Sequence, residues 1–470
     1  MPTSLALFLA VSFPAFTLSH PTVPSGQSVP LHHRSRPQRT PEEWGLWAKA
    51  HRERLTAKYG AGQPEKRSTG TNLITNQNSD ASFFGSLAIG TPPVSYNVIL
   101  DTGSADLWLA DSNCVTNCDE VATFNPSQSS TFTTNNAAFN ISYGSGKASG
   151  TIGADNIQMA GFSVSNQTLG LCDTVSDGLL TAPISGLLGL AFKTIASSGA
   201  TPFWEALVSA GAWDSPVMGF QLTRFINDTT ARSLEPGGSF SMGFVNTTLF
   251  TGDIEYLELA TDPSYWILPL TAMTVQGNSV QVPTGVAAYS AIDTGTTLVG
   301  GPAEYMTSMY SQIPGAAPGT GNFDGYYTYP CDTTVNLTVS FGGKSWPISE
   351  ADFRMTQLTQ NQCIGAFFNL QTGRSAPDWI FGDTLLKNVY SVFRYDPPSV
   401  GFAQLSNVAL AMNGVNAPVP SATVGSVATT VTATGRSGNS GVSMHMPGSS
   451  VVSMAVAWTV GLLAGLSILL

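Results

Sequence analysis

The apolar positions of the chain fall mostly into short runs broken by Gly, Pro, Ser and Thr, and stretches with a helical period are few. Phe83 to Ile89 alternates as a half-buried strand does, and Thr91-Pro92-Pro93 marks a turn. Tyr96 to Leu100 then forms a second strand that stops at Asp101. Gly186 to Phe192 and Trp266-Ile267-Leu268 read as further strands, and Ala291-Ile292 is one that stops at Asp293. Ile141-Ser142-Tyr143-Gly144-Ser145-Gly146 lies between two strand-like stretches and carries the turn residues of a mobile hairpin. Pro202 to Ala210 is one of the few helical stretches, with Phe203 and Trp204 expected in the core. The pattern predicts an all-β body running from about residue 68 to about residue 410.

The two ends of the chain read differently. Leu5 to Leu18 is apolar, early and too short to span a membrane, so residues 1–19 read as a secretory signal. Residues 20–67 read as a propeptide: Pro41-Glu42-Glu43 opens a helical stretch with Trp44, Trp47, Leu55 and Tyr59 as contacts and Arg52, Arg54 and Lys58 between them. Lys66-Arg67 is a dibasic step suited to a processing protease. After Gln404 the pattern stops, and 411–450 read as a flexible Ser/Thr/Gly-rich stalk. Residues 451–470 form an apolar tail. With small residues at Asn439-Ser440-Gly441 and a polar spacer to Ser450, the end fits a GPI-attachment signal with Asn439 as the candidate residue. The alternative is a true span, but Ala455 to Leu470 is short against the usual ~20 residues.

Length allows two or three domains or one large bilobal one. Only 10% of the residues are charged, which favours strands and turns over helices. Residues 20–67 hold nine of the 19 Lys/Arg and four of the 30 Asp/Glu, a formal +5, so the rest carries −16 (−11 − 5). A body this acidic argues against nucleic acid as a partner. All five histidines (His20, His32, His33, His51 and His445) lie outside 68–410. That excludes a Ser-His-Asp or Cys-His mechanism and a His-ligated zinc for the body, and leaves carboxylates, hydroxyls and the backbone.

The carboxylates stand out by repetition. Asp101-Thr102-Gly103-Ser104 and Asp293-Thr294-Gly295-Thr296 each end an apolar run. Leu187-Leu188-Gly189 follows the first and Ile380-Phe381-Gly382 the second, at intervals of 88 and 89 residues (189 − 101 and 382 − 293). Matched spacing suggests two similar lobes, 68–250 and 251–410, each giving one aspartate to a shared interface. Two carboxylates at one site hold a single proton between them and so offer an acid and a base together.

DTGSADLW at 101–108, YGSGKASG at 143–150, SGLLGLAF at 185–192, AIDTGTTLVGGP at 291–302 and WIFGDTLLKNVYSVFRYD at 379–396 resemble the pepsin-like aspartic proteases in their fungal secreted form. The resemblance runs from about Asn78 to Ala409. It implies a bilobal fold around a cleft and an endopeptidase that cuts extended polypeptides beside hydrophobic residues at acid pH, with Asp101 and Asp293 catalytic. Gly103 and Gly295 would present amides to the carboxylates, Ser104 and Thr296 would bond their outer oxygens, and Thr102 and Thr294 would lock the strands together. Tyr143, Gly144 and Ser145 would form a flap supported by Trp108, and Ile99 would line the pocket. The basic propeptide would cover the acidic cleft as an intramolecular inhibitor, with Lys58-Tyr59 reaching the aspartates; a mere folding aid is the alternative. No cofactor or metal is implied, and a monomer is expected.

Five cysteines remain to be placed. Cys114 and Cys118 flank a short loop and read as a disulfide in a secreted chain, and Cys331 and Cys363 match the family's second-lobe disulfide. Cys172 is left over, either a reactive or intermolecular thiol or, given Leu169 and Leu171 beside it, a buried one. Asn140, Asn166, Asn227, Asn246 and Asn336 begin N-x-S/T sequons, some of which should be glycosylated. Two non-enzymatic readings stand beside the protease. A binding module on the same fold would be expected to have lost an Asp, a Gly or the flap Tyr, and a cell-wall adhesin would not need paired DTG motifs.

Overall fold

The computed structural model describes residues 69–433 apart from 119, 374, 375 and 423. The expected signal peptide, the propeptide with Lys58, Lys66 and Arg67, and the tail with Asn439 lie outside the described residues. What is described is mostly strand. Strands β1 (Gly70–Gln77), β2 (Ser82–Ile89) and β3 (Val94–Asp101) form an antiparallel meander. The turn between β1 and β2 holds Asn78, Ser79 and Asp80 at positive φ, and the Asn76 side chain accepts from Asp80 N (2.8 Å), which offsets the strain locally.

Two strands frame the end of β3. β8 (Ile184–Gly189) runs parallel to β3, with Gly189 opposite Asp101, and β4 (Leu107–Ala110) pairs antiparallel on the other side of β8. All six residues of β8 are buried, as a strand covered on both faces requires. The long strands β5 (Thr133–Tyr143), β6 (Gly146–Met159) and β7 (Phe162–Val175) complete this lobe. In β5, Phe139 and Ile141 point inward while Asn140 and Ser142 face solvent, the alternation that a strand with one buried face demands.

The second lobe repeats the arrangement. Tyr289–Ile292 runs parallel to Trp379–Phe381, and Val299–Gly301 pairs antiparallel with that return strand. Each aspartate therefore sits at the end of a strand whose parallel neighbour ends in an apolar pair and a glycine. The glycines are required by space: a Cβ on Gly189 would lie 2.4 Å from Ala105 C, and one on Gly382 would lie 2.0 Å from Thr296 O. A sheet shared by the lobes joins them, in the order β11 (Phe250–Glu258), Ser399–Leu405, Val389–Arg394, β9 (Val217–Leu222), β10 (Leu234–Met242) and β1. The division drawn at residues 250 and 251 falls on the first residues of β11, within this shared sheet.

The hydrophobic core is continuous between the lobes. Phe192 and Trp266 rings lie 4.4 Å apart, Trp204 packs on both, and the Trp266 and Trp204 indoles donate to Leu190 O (3.0 Å) and Ala191 O (2.9 Å). The helix Phe203–Ser209 supplies Trp204, and Phe203 is buried beside it as the pattern predicted. Each such aromatic contributes roughly 2–3 kcal/mol of burial.

Disulfides join Cys114 to Cys118 and Cys331 to Cys363. Cys172 is the free thiol among the described residues; it lies buried on β7, and burial pushes its pKa up. Asn140, Asn166, Asn227 and Asn336 are exposed and Asn246 is half-buried. Among the described residues no helix is long and apolar enough to cross a membrane.

One expectation needs correction. The flexible stalk does not begin at residue 411: Thr429–Thr432 is a strand running parallel to β7, in register with Phe162–Ser165. A four-residue strand has too few positions to display a period, and its partner lies more than 260 residues earlier in the chain (429 − 162).

Candidate active site

The two strand ends meet at the lobe junction. Asp101 and Asp293 are 4% and 7% exposed, and their carboxyls lie within hydrogen-bonding reach of each other. Each is held first by its own loop. Gly103 N donates to Asp101 Oδ1 and Gly295 N to Asp293 Oδ1, both at 2.8 Å. The Ser104 hydroxyl donates to Asp101 Oδ2 and the Thr296 hydroxyl to Asp293 Oδ2 (2.7 Å). Both carboxyls thus present their inner edges to a common point.

The loops are also built into one another. A Cβ on Gly103 would lie 2.5 Å from Asp293 Oδ2, and one on Gly295 would lie 2.2 Å from Asp101 Oδ1. Only glycine allows each backbone so close to the opposite carboxyl. Beneath them, Thr102 N donates to Thr294 Oγ1 (3.0 Å) and Thr294 N to Thr102 Oγ1 (2.9 Å). The same hydroxyls donate onward to Ile292 O (2.9 Å) and Leu100 O (2.6 Å), each in the other lobe. Four buried bonds therefore fix the separation of the two aspartates.

Burial first, and then the charge of Asp293, push the Asp101 carboxyl up to about 8; its bonds from Ser104 and Gly103 work the other way. The proton belongs to the pair. Above it, β5 and β6 form a hairpin closed by the two-residue turn Gly144-Ser145, with both turn residues exposed and open space where a Gly144 side chain would be. Tyr143 faces inward, and its hydroxyl accepts from Trp108 Nε1 (2.7 Å). Trp108 is fully buried, and Ile99 packs with Tyr143 against the same cluster. Tyr143 is thus brought within electrostatic reach of Asp101, with Trp108 and Ile99 packed beside it, while Gly144 and Ser145 form the exposed hairpin tip.

Two others were missed. Tyr265 has its phenol pKa raised by burial and then by the charges of Asp293 and Asp101, which places it in electrostatic reach of both. Asp383 follows Gly382 directly, is 2% exposed, and has Oδ1 without a hydrogen-bond partner. Its backbone N donates to Thr296 O (2.8 Å), so it backs the Asp293 loop. The i, i+4 spacing of Asp383 and Lys387 was a readable signal for a charged cluster. Tyr265 carried none.

Two lobes, each pinned to the other through a hydroxyl pair, thus each offer one buried carboxyl to a shared site. The model of the eukaryotic aspartyl proteases matches residues 82–405, and the chain belongs to that family. It is 47% identical to major aspartyl peptidase 1 of Cryptococcus neoformans over 364 residues, 75% of this chain and 74% of that one. Rhizopuspepsin-4 of Rhizopus niveus is 32% identical over 347 residues (72% and 81%), and pepsin A of Sus scrofa 30% over 333 residues (70% and 82%). The protein is an aspartic-type endopeptidase.

Proposed function

We propose that the protein hydrolyses extended polypeptides at acid pH through a water activated between Asp101 and Asp293. An amide is a poor electrophile, and water at acid pH is a poor nucleophile. The ionised member of the pair takes a proton from the water while the protonated member gives its proton to the scissile carbonyl oxygen. Attack gives a tetrahedral diol with no acyl-enzyme, and return of a proton to nitrogen releases the amine. Ser104, Thr296 and the two glycine amides hold the carboxyls coplanar, and the flap closes over the substrate with Tyr143 held by Trp108. Apolar groups beside the pair favour hydrophobic residues at the cut, and Ile99, packed with Tyr143, is one.

The observation that carries this reading is the fit of each motif glycine against the opposite carboxyl, which leaves the pair no other separation. The chain enters the secretory pathway, is made as a zymogen inhibited by residues 20–67, and is released at Lys66-Arg67. It carries glycans on some of Asn140, Asn166, Asn227, Asn246 and Asn336, and is retained as a monomer at the cell surface or wall by a GPI anchor. The exposure of Asn140, Asn166, Asn227 and Asn336 supports the glycan reading.

The test is hydrolysis of denatured globin by processed protein from about pH 2.5 to about pH 7, with and without a statine-type transition-state analogue. Acid activity abolished by the analogue and by Asp293→Asn is the expected result. Activity that survives Asp293→Asn would overturn the mechanism.

A further inference from the structure

We infer that the folded unit continues past the family domain to Ala433, as a strap that ties the end of the chain onto the first lobe and fixes where the remaining chain leaves it. The family match ends at residue 405. Beyond it, the chain is tied down four times. Ser406 Oγ donates to Thr248 O (2.7 Å) and caps the short helix Asn407–Leu410 by accepting from Ala409 N (3.2 Å). Asn413 Oδ1 accepts from Arg224 N (2.9 Å) while Gly414 N donates to Arg224 O (3.0 Å), so both polar groups of one residue's backbone are used. Arg232 Nη2, already paired with Glu235, donates to Ala417 O (2.7 Å).

The fourth tie is the strand Thr429–Thr432. Ala428 N donates to Gly161 O (2.8 Å), and Ala433 N donates to Ser165 O (2.9 Å). Val431 packs against the core and Ala433 is 9% exposed within it. The local sequence suits this: Thr429-Thr430-Val431-Thr432 is wholly β-branched, between Gly-, Ala- and Ser-rich flanks. Between the third and fourth ties a cavity of about 650 Å³ separates Pro420, Ser421 and Val427 from Gly70 and Leu73 of β1, so the strap is held at its ends.

Two consequences follow from the geometry. Residues 162–165 of β7 pair with β6 on one side, Val164 opposite Ile157, and the strap takes the other side. Without it, that side would be an open edge beside the core, the kind that pairs with other chains. The second consequence is the point of exit. Ala433 shares the lining of one cavity with Thr133 and Thr134, at the start of β5. The flap turn lies at the other end of that strand, roughly 30 Å away at the rise of extended chain. The described chain therefore ends far from the flap.

The inference concerns the fold of this chain and holds whether or not the tail carries a lipid. Hydrogen exchange on processed protein ending at Ala433 tests it directly. Amides of 428–433 should exchange at least about tenfold more slowly than in a free peptide of the same sequence. Truncation after Gly414, or Val431→Asp in the intact strap, should speed exchange at 161–165 and lower the melting temperature by roughly 2 °C or more. Val431→Asp should leave kcat/KM unchanged at low temperature. Free-peptide exchange rates at 428–433 would overturn the strap, even if the truncated protein failed to fold. So would variants that melt like the parent with 161–165 still protected.

Discussion

Gly103 and Gly295 set the tolerance of the site. A single methyl on either would lie within 2.5 Å of a carboxylate oxygen of the other lobe, so Gly103→Ala and Gly295→Ala must push the aspartates apart. Misplacement of reacting groups by about 1 Å costs about a hundredfold, and kcat/KM should fall at least that far while far-ultraviolet circular dichroism stays unchanged. Trp108 makes a gentler case. Its indole N–H donates to the Tyr143 hydroxyl, and Trp108→Phe keeps the ring packing but removes that donor. A hydrogen bond of this kind contributes about 0.5–1.5 kcal/mol net. If it holds the flap tyrosine for the transition state, kcat/KM should drop roughly two- to tenfold. Wild-type kinetics from Trp108→Phe would mean that packing alone positions Tyr143.

At the scale of elements, the crossed threonines act as a unit. Thr102 and Thr294 each donate into the opposite lobe and accept from the other's backbone, so Thr102→Val and Thr294→Val remove the same interaction twice. Their effects on unfolding free energy should fall short of additivity by about 0.5–3 kcal/mol in a double-mutant cycle, and strict additivity would show two independent bonds. These strands were legible in the sequence because each is an apolar run cut short by the same polar tripeptide. The return strands were legible because only glycine fits at their ends. The β5–β6 hairpin was legible from its turn residues. The strap was not, since Thr429–Thr432 owes its conformation to the edge of β7. The Asp383-Lys387 spacing hinted at charge behind Asp293 but not at its partner, since Lys387 Nζ bonds Asp80 Oδ2 (2.7 Å) across 307 positions. No local pattern encodes such a contact.

That junction governs how the whole molecule responds to pH. Lys387 also meets Asp352 Oδ1 (2.9 Å), and Asp352 pairs with Arg224, so two cations match two anions in the shared interior. Burial works to raise the Asp352 pKa, but Lys387 and Arg224 outweigh it and hold it below its usual value. Asp383 is the carboxyl left over. Burial raises its pKa well above the usual range, Lys387 offsets this only in part, and Asp293, Asp80 and Asp352 add to the rise. Asp101 is raised as well, to about 8. The signs oppose. A carboxyl lowered in the fold contributes stability above its unfolded pKa, about 4, and loses it as acid is added. A raised one contributes below about pH 4, and that contribution is lost as pH climbs towards its folded value. Asp352 therefore resists unfolding towards neutrality, while Asp101 and Asp383 favour the folded state in acid. Asp352 adds no slope above about pH 4, so the raised Asp101 and Asp383 should make the melting temperature fall between about pH 4 and about pH 8. Scans on Asp101→Asn protein, which cannot digest itself if the proposed mechanism holds, isolate the Asp383 share of that slope. Adding Asp383→Asn should flatten it, because a neutral amide has no proton to lose. An equal slope in the two proteins would mean that Asp383 is already ionised in the fold, and that the junction carries an unmatched negative charge behind the Asp293 loop.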